Sequence, residues 1–287
     1  MQRKRWTPPA GLDLAQSLAR YLRWGGDPVN IVEGGVFYRV ATAGGRPLPF
    51  SARQLRGGAI EVTVNDGKDV GAALAYMQHR LATSLPFPPL RKLARRDPVI
   101  RGALAARPGY RPPMTSDLVE SLVTSITAQQ VNLTWATTTR RRLVEKYGRR
   151  RRFAGRMLWE FPKAADLAGA NHSDIRALQF TNAKAAFIIE VGEFAASGGL
   201  DGLADATDPD VIATLTTIKG VGRWTAEWTL ARCLARPNVV AAGDLGVQKA
   251  IGGPYLDRRA TEEEVRQITA PWGDAANWAT HLLLEDL

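Results

Sequence analysis

Residues 218–247 decide how this chain is read. They open Ile218-Lys219-Gly220-Val221-Gly222-Arg223-Trp224-Thr225-Ala226-Glu227-Trp228 and close Val239-Val240-Ala241-Ala242-Gly243-Asp244-Leu245-Gly246-Val247. Just upstream, Asp208-Pro209 predicts a helix start, a side-chain cap followed by proline in the first turn. Val211, Ile212 and Leu215 give that helix its apolar stripe, and it breaks at Lys219–Gly222. Two glycines around one apolar residue permit a tight turn with exposed backbone N–H groups. A second helix is expected from Arg223 to Leu234, stopping before Pro237. Such a hairpin can hold a DNA phosphate, because its amides and the positive end of the second helix face one anion. A plain helix–turn–helix corner would read the same over these three residues.

The wider pattern separates the two. Together, the Gly-Val-Gly turn, the apolar helix after it and the loop ending in Asp244 closely resemble the helix–hairpin–helix DNA glycosylase superfamily. In that family a Gly/Pro-rich loop ends in a required Asp, and the separation of Gly222 from Asp244 suits that layout. Ser125-Ile126-Thr127-Ala128-Gln129-Gln130-Val131 resembles the family's segment that lines the pocket and probes the duplex. The N-terminal part, Arg107-Pro108-Gly109 and Trp278-Ala279 resemble the bacterial 3-methyladenine glycosylase II branch. The similarity covers nearly the whole chain. It implies DNA contacts from Gln129, Gln130, Lys219, Gly220, Val221, Gly222 and Arg223, and a base pocket containing Trp224, Trp228 and Leu245. It also implies a monovalent cation at the hairpin, on carbonyls near Thr217, Ile218 and Val221.

Bulk composition agrees with a polyanionic partner. The 287 residues suggest two domains, and 45% hydrophobic content supports real cores. Against 28 Asp and Glu stand 38 Lys and Arg, a formal net charge of +10. One cysteine, Cys233, excludes an intramolecular disulfide and a four-cysteine zinc or iron–sulfur site. His79, His172 and His281 lack ligand spacing. No required cofactor is expected. The N-terminus lacks a signal-peptide core, and no apolar run reaches the roughly 18 residues of a membrane span. A cytoplasmic monomer acting on double-stranded DNA with damaged bases is the expectation.

The expected fold class is mostly α: a helical core (91–287) behind an N-terminal α+β domain (1–90) with an antiparallel sheet. Asp13–Trp24 and Asp69–Thr83 read as helices, and Val29–Val32, Val36–Thr42 and Ile60–Val64 as strands. Pro86–Pro113 reads as the connection between domains, with short helical pieces inside it. Ser116 or Asp117, Ser173 and Thr181 are candidate helix caps, and Asn132–Tyr147 another helix. Arg149–Arg152 reads as a loop that, with Arg140–Arg142, would make a phosphate-facing surface.

Breaking a base–sugar bond generates an oxocarbenium-like sugar, which a fixed carboxylate stabilises mainly in the transition state. Most glycosidases use a second carboxyl to protonate the leaving group. An alkylated purine already carries positive charge and leaves neutral, so Asp244 alone can suffice. Asp244 also reads as the N-cap of a helix starting near Leu245. The family's lyase members hold Lys just after Gly-Val-Gly-Arg; here that slot is Trp224, which forms no Schiff base. The resemblance therefore implies no β-lyase activity and water as nucleophile. Trp224 and Trp228, four apart, share a helix face and could wall an electron-poor base. Trp272 and Trp278 read as core. Where the alkyl-base branch often has another aromatic near the chain end, this chain has Leu284. The alternatives are a non-catalytic DNA-binding protein built on the same hairpin, or a glycosylase for deaminated or etheno bases.

Overall fold

The computed structural model describes residues 1–9 and 11–287. Its first part is a sheet with a helix packed on it: β1 (Gln2–Trp6), α1 (Leu14–Leu18), β2 (Ile31–Glu33), β3 (Val36–Ala43), β4 (Arg46–Gln54), β5 (Ile60–Val64) and α2 (Val70–Arg80). The antiparallel strands run in the order β1-β5-β4-β3-β2. Phe37, Phe50, Val62 and Met77 fill the layer between sheet and helix.

Sequence reading missed β1 and β4. β1 is an exposed, charged edge strand without apolar alternation, a common guard against edge-to-edge pairing. β4 contains Pro47 and Pro49, which lie beyond the Phe50–Gln54 stretch that pairs with β5, where proline is tolerated. The helix expected over Asp13–Trp24 stops early. After α1 the chain tightens into a 3-10 turn, and Trp24, Gly25 and Gly26 all take positive φ.

The remainder is largely helical: α3 (Phe87–Arg96), α4 (Pro98–Ala106), α5 (Leu118–Ala128), α6 (Leu133–Tyr147), then a hairpin of β6 (Arg149–Phe153) and β7 (Arg156–Glu160). Next come α7 (Ala164–Ala168), α8 (His172–Ala177), α9 (Asn182–Ala196), α10 (Asp208–Leu215), α11 (Arg223–Arg232), α12 (Leu245–Leu256), α13 (Glu262–Thr269) and α14 (Ala276–Leu284). The stretch read as a connection, 86–113, holds its helical pieces as α3 and α4. α3 and α4 belong to the same apolar core as α12 and α14. Asp97 caps α4 through the amides of Val99 and Ile100. Asp117 and Thr181 cap α5 and α9 as expected, Asn132 proves to be the cap of α6 and not its first residue, and Asn171, not Ser173, caps α8. Thr207 rather than Asp208 caps α10, which places Asp208 and Pro209 inside its first turn.

The arginine runs are the main correction. Arg149–Arg152 is strand, closed by a two-residue turn at Ala154-Gly155 with positive φ at both positions, the twist that tight hairpins favour. Arg149 pairs with Asp166, Arg151 with Glu160, and Arg150 lies over Trp159. Arg140 pairs with Asp27, Arg141 bonds the carbonyls of Gly25 and Gly26, and Arg142 bonds Gln179. Much of this charge is committed within the protein, and Arg140 and Arg141 tie α6 to the N-terminal segment.

α11 is the hinge of the helical part. Its Ala226 and Leu230 enter the core around α5, α6 and α9, while Trp228 and Ala231 enter the one around α12 and α14. The face between these two cores opens as a cleft. No helix among the described residues is long and apolar enough to cross a membrane.

Candidate active site

Asp244 ends the loop from α11 to α12 and caps α12, its Oδ1 accepting from the Val247 amide at 3.0 Å. Its Oδ2 accepts two indole N–H groups, from Trp224 Nε1 at 2.8 Å and Trp228 Nε1 at 3.0 Å. Both carboxylate oxygens are thus engaged by donors from two helices. The carboxylate is half-buried and lines a cavity of about 420 Å³. That volume is within the range of small-ligand sites. A groove of about 520 Å³ beside Pro88, Lys92 and Trp272 includes none of this constellation.

The two tryptophans do more than sequence spacing implied. Their four-residue separation puts both N–H groups on one side of α11, aimed at one oxygen. Trp224 is half-buried and lines the cavity. Trp228 is only 3% exposed; His281 packs at its edge, and Arg232 covers a face with its guanidinium carbon 3.4 Å from the ring centroid. Trp228 also lines the cavity, with one face of its ring taken by a cation of the protein itself. Leu245 is 60% exposed at the start of α12, beside Asp244, and is not among the cavity-lining groups. Leu284 does line the cavity, at the position where an aromatic was considered.

Sequence reading missed the rest of the lining. Arg20, Tyr21, Arg23 and Trp24 from the N-terminal part, and Thr124 and Leu133 around α5 and α6, complete the wall, beside Ser125 of the segment singled out in the sequence. Nothing local in sequence links residues 20–24 to Asp244. A reading of sheet and helical core as separate bodies hides their meeting.

The hairpin has the expected form. Val221 is buried, its amide bonds the Ile218 carbonyl at 3.0 Å, and Lys219, Gly222 and Arg223 are exposed. Gly222 caps α11 without a side-chain bond, which leaves the first-turn amides open to an anion. Arg223 bonds Glu227. Gly220 has φ of 87°, and a Cβ there would fall 2.1 Å from the Phe187 ring. Gly220→Ala is therefore expected to cost about 2–3 kcal/mol, from left-handed backbone strain and overpacking. Thermal melting should fall by roughly 5–10 °C. An unchanged melting curve would show that the turn relaxes freely.

Gln129 and Gln130 lie at the end of α5 on the same side of the protein. Gln129 Nε2 donates to the Gly220 carbonyl at 3.0 Å, fastening this turn to the hairpin. Gln130 is exposed with φ of 55°. Beside it stand Val131, Leu133 and Trp135, 37%, 46% and 39% exposed. Of this apolar group only Val131 falls in the stretch singled out in the sequence. Its signal was present in three apolar residues around the Asn132 cap, where solvent exposure is costly unless something covers them.

Comparison with known proteins follows the same lines. Residues 123–274 match the HhH-GPD superfamily base excision DNA repair protein family. A DNA-3-methyladenine glycosylase of Bacillus subtilis (strain 168) is 29% identical over 198 residues, covering 68% of this chain. That match spans 65% of the relative, just under two-thirds of its length. The 3-methyladenine DNA glycosylase of Archaeoglobus fulgidus superposes with a TM-score of 0.87 at 24% identity, covering 99% of this chain and 98% of the other. The Clostridium acetobutylicum 8-oxoguanine glycosylase/lyase, solved with double-stranded DNA, gives 0.77 at 14% identity, covering 99% and 96%. The two superpositions establish a shared fold.

Proposed function

From the premise that this chain belongs to the HhH-GPD superfamily of base excision DNA repair proteins, we propose that it is a monofunctional DNA glycosylase. Its substrates are alkylated bases such as 3-methyladenine in double-stranded DNA, the activity printed for its Bacillus relative. The single observation that carries this reading is the carboxylate of Asp244, held by Val247, Trp224 and Trp228 at the wall of a cleft. A phosphate-binding module has no use for a negative charge held at that place.

The chemistry follows from the geometry. The target nucleotide leaves the stack at a cost of a few kcal/mol, less for a damaged base. Gln130, Val131 and Leu133 are the exposed groups suited to fill the gap. The hairpin amides grip a phosphate of the same strand. Asp244, already oriented, faces the sugar as positive charge develops there and spends no reorganisation energy at that moment. Water then adds at the sugar carbon. Trp224 in place of an amine supports hydrolysis without β-lyase chemistry. The carbonyls of Thr217, Ile218 and Val221 are hard oxygen donors that suit a monovalent cation, and Ile218 O keeps a lone pair after accepting from Val221. Such a cation would supply positive charge beside the gripped phosphate. Action as a monomer is part of the same proposal. The single, buried Cys233 fits a reducing intracellular compartment.

The test is release of 3-methyladenine or 7-methylguanine from methylated duplex, with products identified by mass and with borohydride present. Free base and no trapped protein–DNA adduct are expected. A trapped adduct would overturn the monofunctional assignment. Release of nothing from a panel of lesions would favour a DNA-binding role alone.

A further inference from the structure

α3 carries a charge pattern that its own fold does not explain. It includes Arg91, Lys92, Arg95 and Arg96 and no acid, and all four cations are exposed. Arg95 and Arg96 sit in the last turn, where the helix dipole favours positive charge, but Arg91 and Lys92 stand mid-helix. Arg91 and Arg95 are four apart, as are Lys92 and Arg96, so each pair repels along one helix face. No carboxylate among the described residues forms an ion pair with any of the four. Arg96 Nη2 donates to the Pro271 carbonyl at 2.6 Å, which ties α3 to the turn Ala270–Ala275 between α13 and α14.

Between α3 and that turn lies the groove of about 520 Å³. Its α3 wall runs along one helix face from Pro88 to Arg96, about 12 Å at the helical rise. That is the span of about four residues of extended chain. The floor is apolar, made by Leu93 and Trp272, and Pro88, Pro89 and Pro271 add rigid walls. Gly273 holds φ of 53° and ψ of −132°, a conformation that suits glycine, and so shapes the turn that carries Pro271 and Asp274. The groove shares no residue with the hairpin or with the cavity around Asp244. A hollow with an apolar floor and a cationic rim fits an anion that also bears an apolar side chain. Duplex DNA does not meet that description: it is a stiff rod with its charge outermost and nothing to fill the hollow. An acidic peptide with an aromatic ring does, since the ring packs on proline and tryptophan while the carboxylates reach the rim.

We propose that this groove docks an acidic segment of a partner protein, in which an aromatic side chain is flanked by Asp or Glu. The ring enters the hollow over Leu93 and Trp272, and the carboxylates meet Lys92 and the arginines of α3. Asp274 is the one acid of the lining and repels carboxylates from the turn side, which leaves the α3 side to them. The docked segment leaves the hairpin and the Asp244 cleft free, so partner and DNA are held together. Salt screens exposed pairs of this kind, and binding weakens as salt rises.

The experiment follows the fluorescence anisotropy of a labelled peptide, Gly-Asp-Glu-Phe-Asp-Glu-Gly, titrated with the full chain. Saturable binding is expected. A peptide with Ser in place of Phe should bind at least about tenfold more weakly, the scale of one buried phenyl side chain. A peptide with Asn and Gln in place of its acids should lose binding to a similar degree. In the protein, Lys92→Glu turns attraction into repulsion and is expected to weaken binding at least about fivefold. Arg152→Glu makes the same change of net charge at an exposed position of β6 and should leave affinity within about twofold at physiological salt, where distant charges are screened. Melting curves accompany both variants. An undamaged duplex should not displace the peptide. Equal binding of the Phe and Ser peptides, or equal losses in Lys92→Glu and Arg152→Glu, overturns the proposal and leaves a solvated basic face. Absence of saturable binding to the parent overturns it too. Displacement by the duplex, with duplex affinity also lowered by Lys92→Glu, assigns the surface to DNA and overturns it as well.

Discussion

Asp244→Asn is expected to abolish base release, by at least about 10²–10³-fold in the single-turnover rate, while DNA affinity stays near the parent's. The argument has two halves. The substitution removes the negative charge that faces the sugar and nothing of the hairpin that grips phosphate. It also keeps a good helix cap, because Asn ranks with Asp at that position. The amide oxygen can still accept from Val247, but the amide nitrogen then turns toward the indole donors of Trp224 and Trp228. Those N–H groups lose a partner, at about 1–3 kcal/mol, so melting should fall by a few degrees without unfolding at assay temperature. Release assays and fluorescence-anisotropy binding on one lesion-bearing duplex check both halves. Activity within tenfold of the parent would remove Asp244 from the chemistry. Loss of binding in step with activity would make its role structural.

Glu120→Ala is expected to produce the largest stability loss, about 3–5 kcal/mol, for a reason remote from catalysis. Glu120 on α5 and Arg39 on β3 are both buried, and the guanidinium meets the carboxylate through two hydrogen bonds. Burial works against the Arg39 charge; Glu120 facing it outweighs that effect and raises the Arg39 pKa. Without Glu120 the buried guanidinium retains Asn30 as its side-chain partner. Arg80, also buried, leans on the hydroxyls of Tyr21 and Tyr76 close by. Chemical denaturation would read the loss directly. A change below about 1 kcal/mol would mean that water replaces the carboxylate. The double variant Arg39→Met, Glu120→Leu should recover most of the loss, because an apolar pair of similar volume carries no desolvation penalty.

This buried pair shows where sequence reading stops. Glu120 looks like an ordinary first-turn acid of α5, and Arg39 like one residue of a strand. Only the packing of sheet against helix reveals that they meet. The hairpin and Asp244 were legible because their function is local: a turn, a helix start and a cap lie within one short stretch. Trp224 and Trp228 were legible as a shared helix face, but their hydrogen bonds to Asp244 depend on how the intervening loop returns. β1 and β4 were illegible because charge and proline erase the alternation that marks a strand. Arg149–Arg152 misled for a related reason: a run of one charged residue carries no periodicity, so its pairing with β7 left no trace in the pattern. The contribution of residues 20–24 to the cleft could not be read at all, since it arises from contact between distant parts of the chain.

The attachment of Asp244 has a consequence for what the position can hold. A side chain pinned at three points by backbone and two ring edges behaves like a tripod, with its reach set by a single methylene. A glutamate would carry the same charge on a longer leg, and its oxygens could not stand on all three feet at once. The length of the acid, and not only its charge, is thereby written into this site.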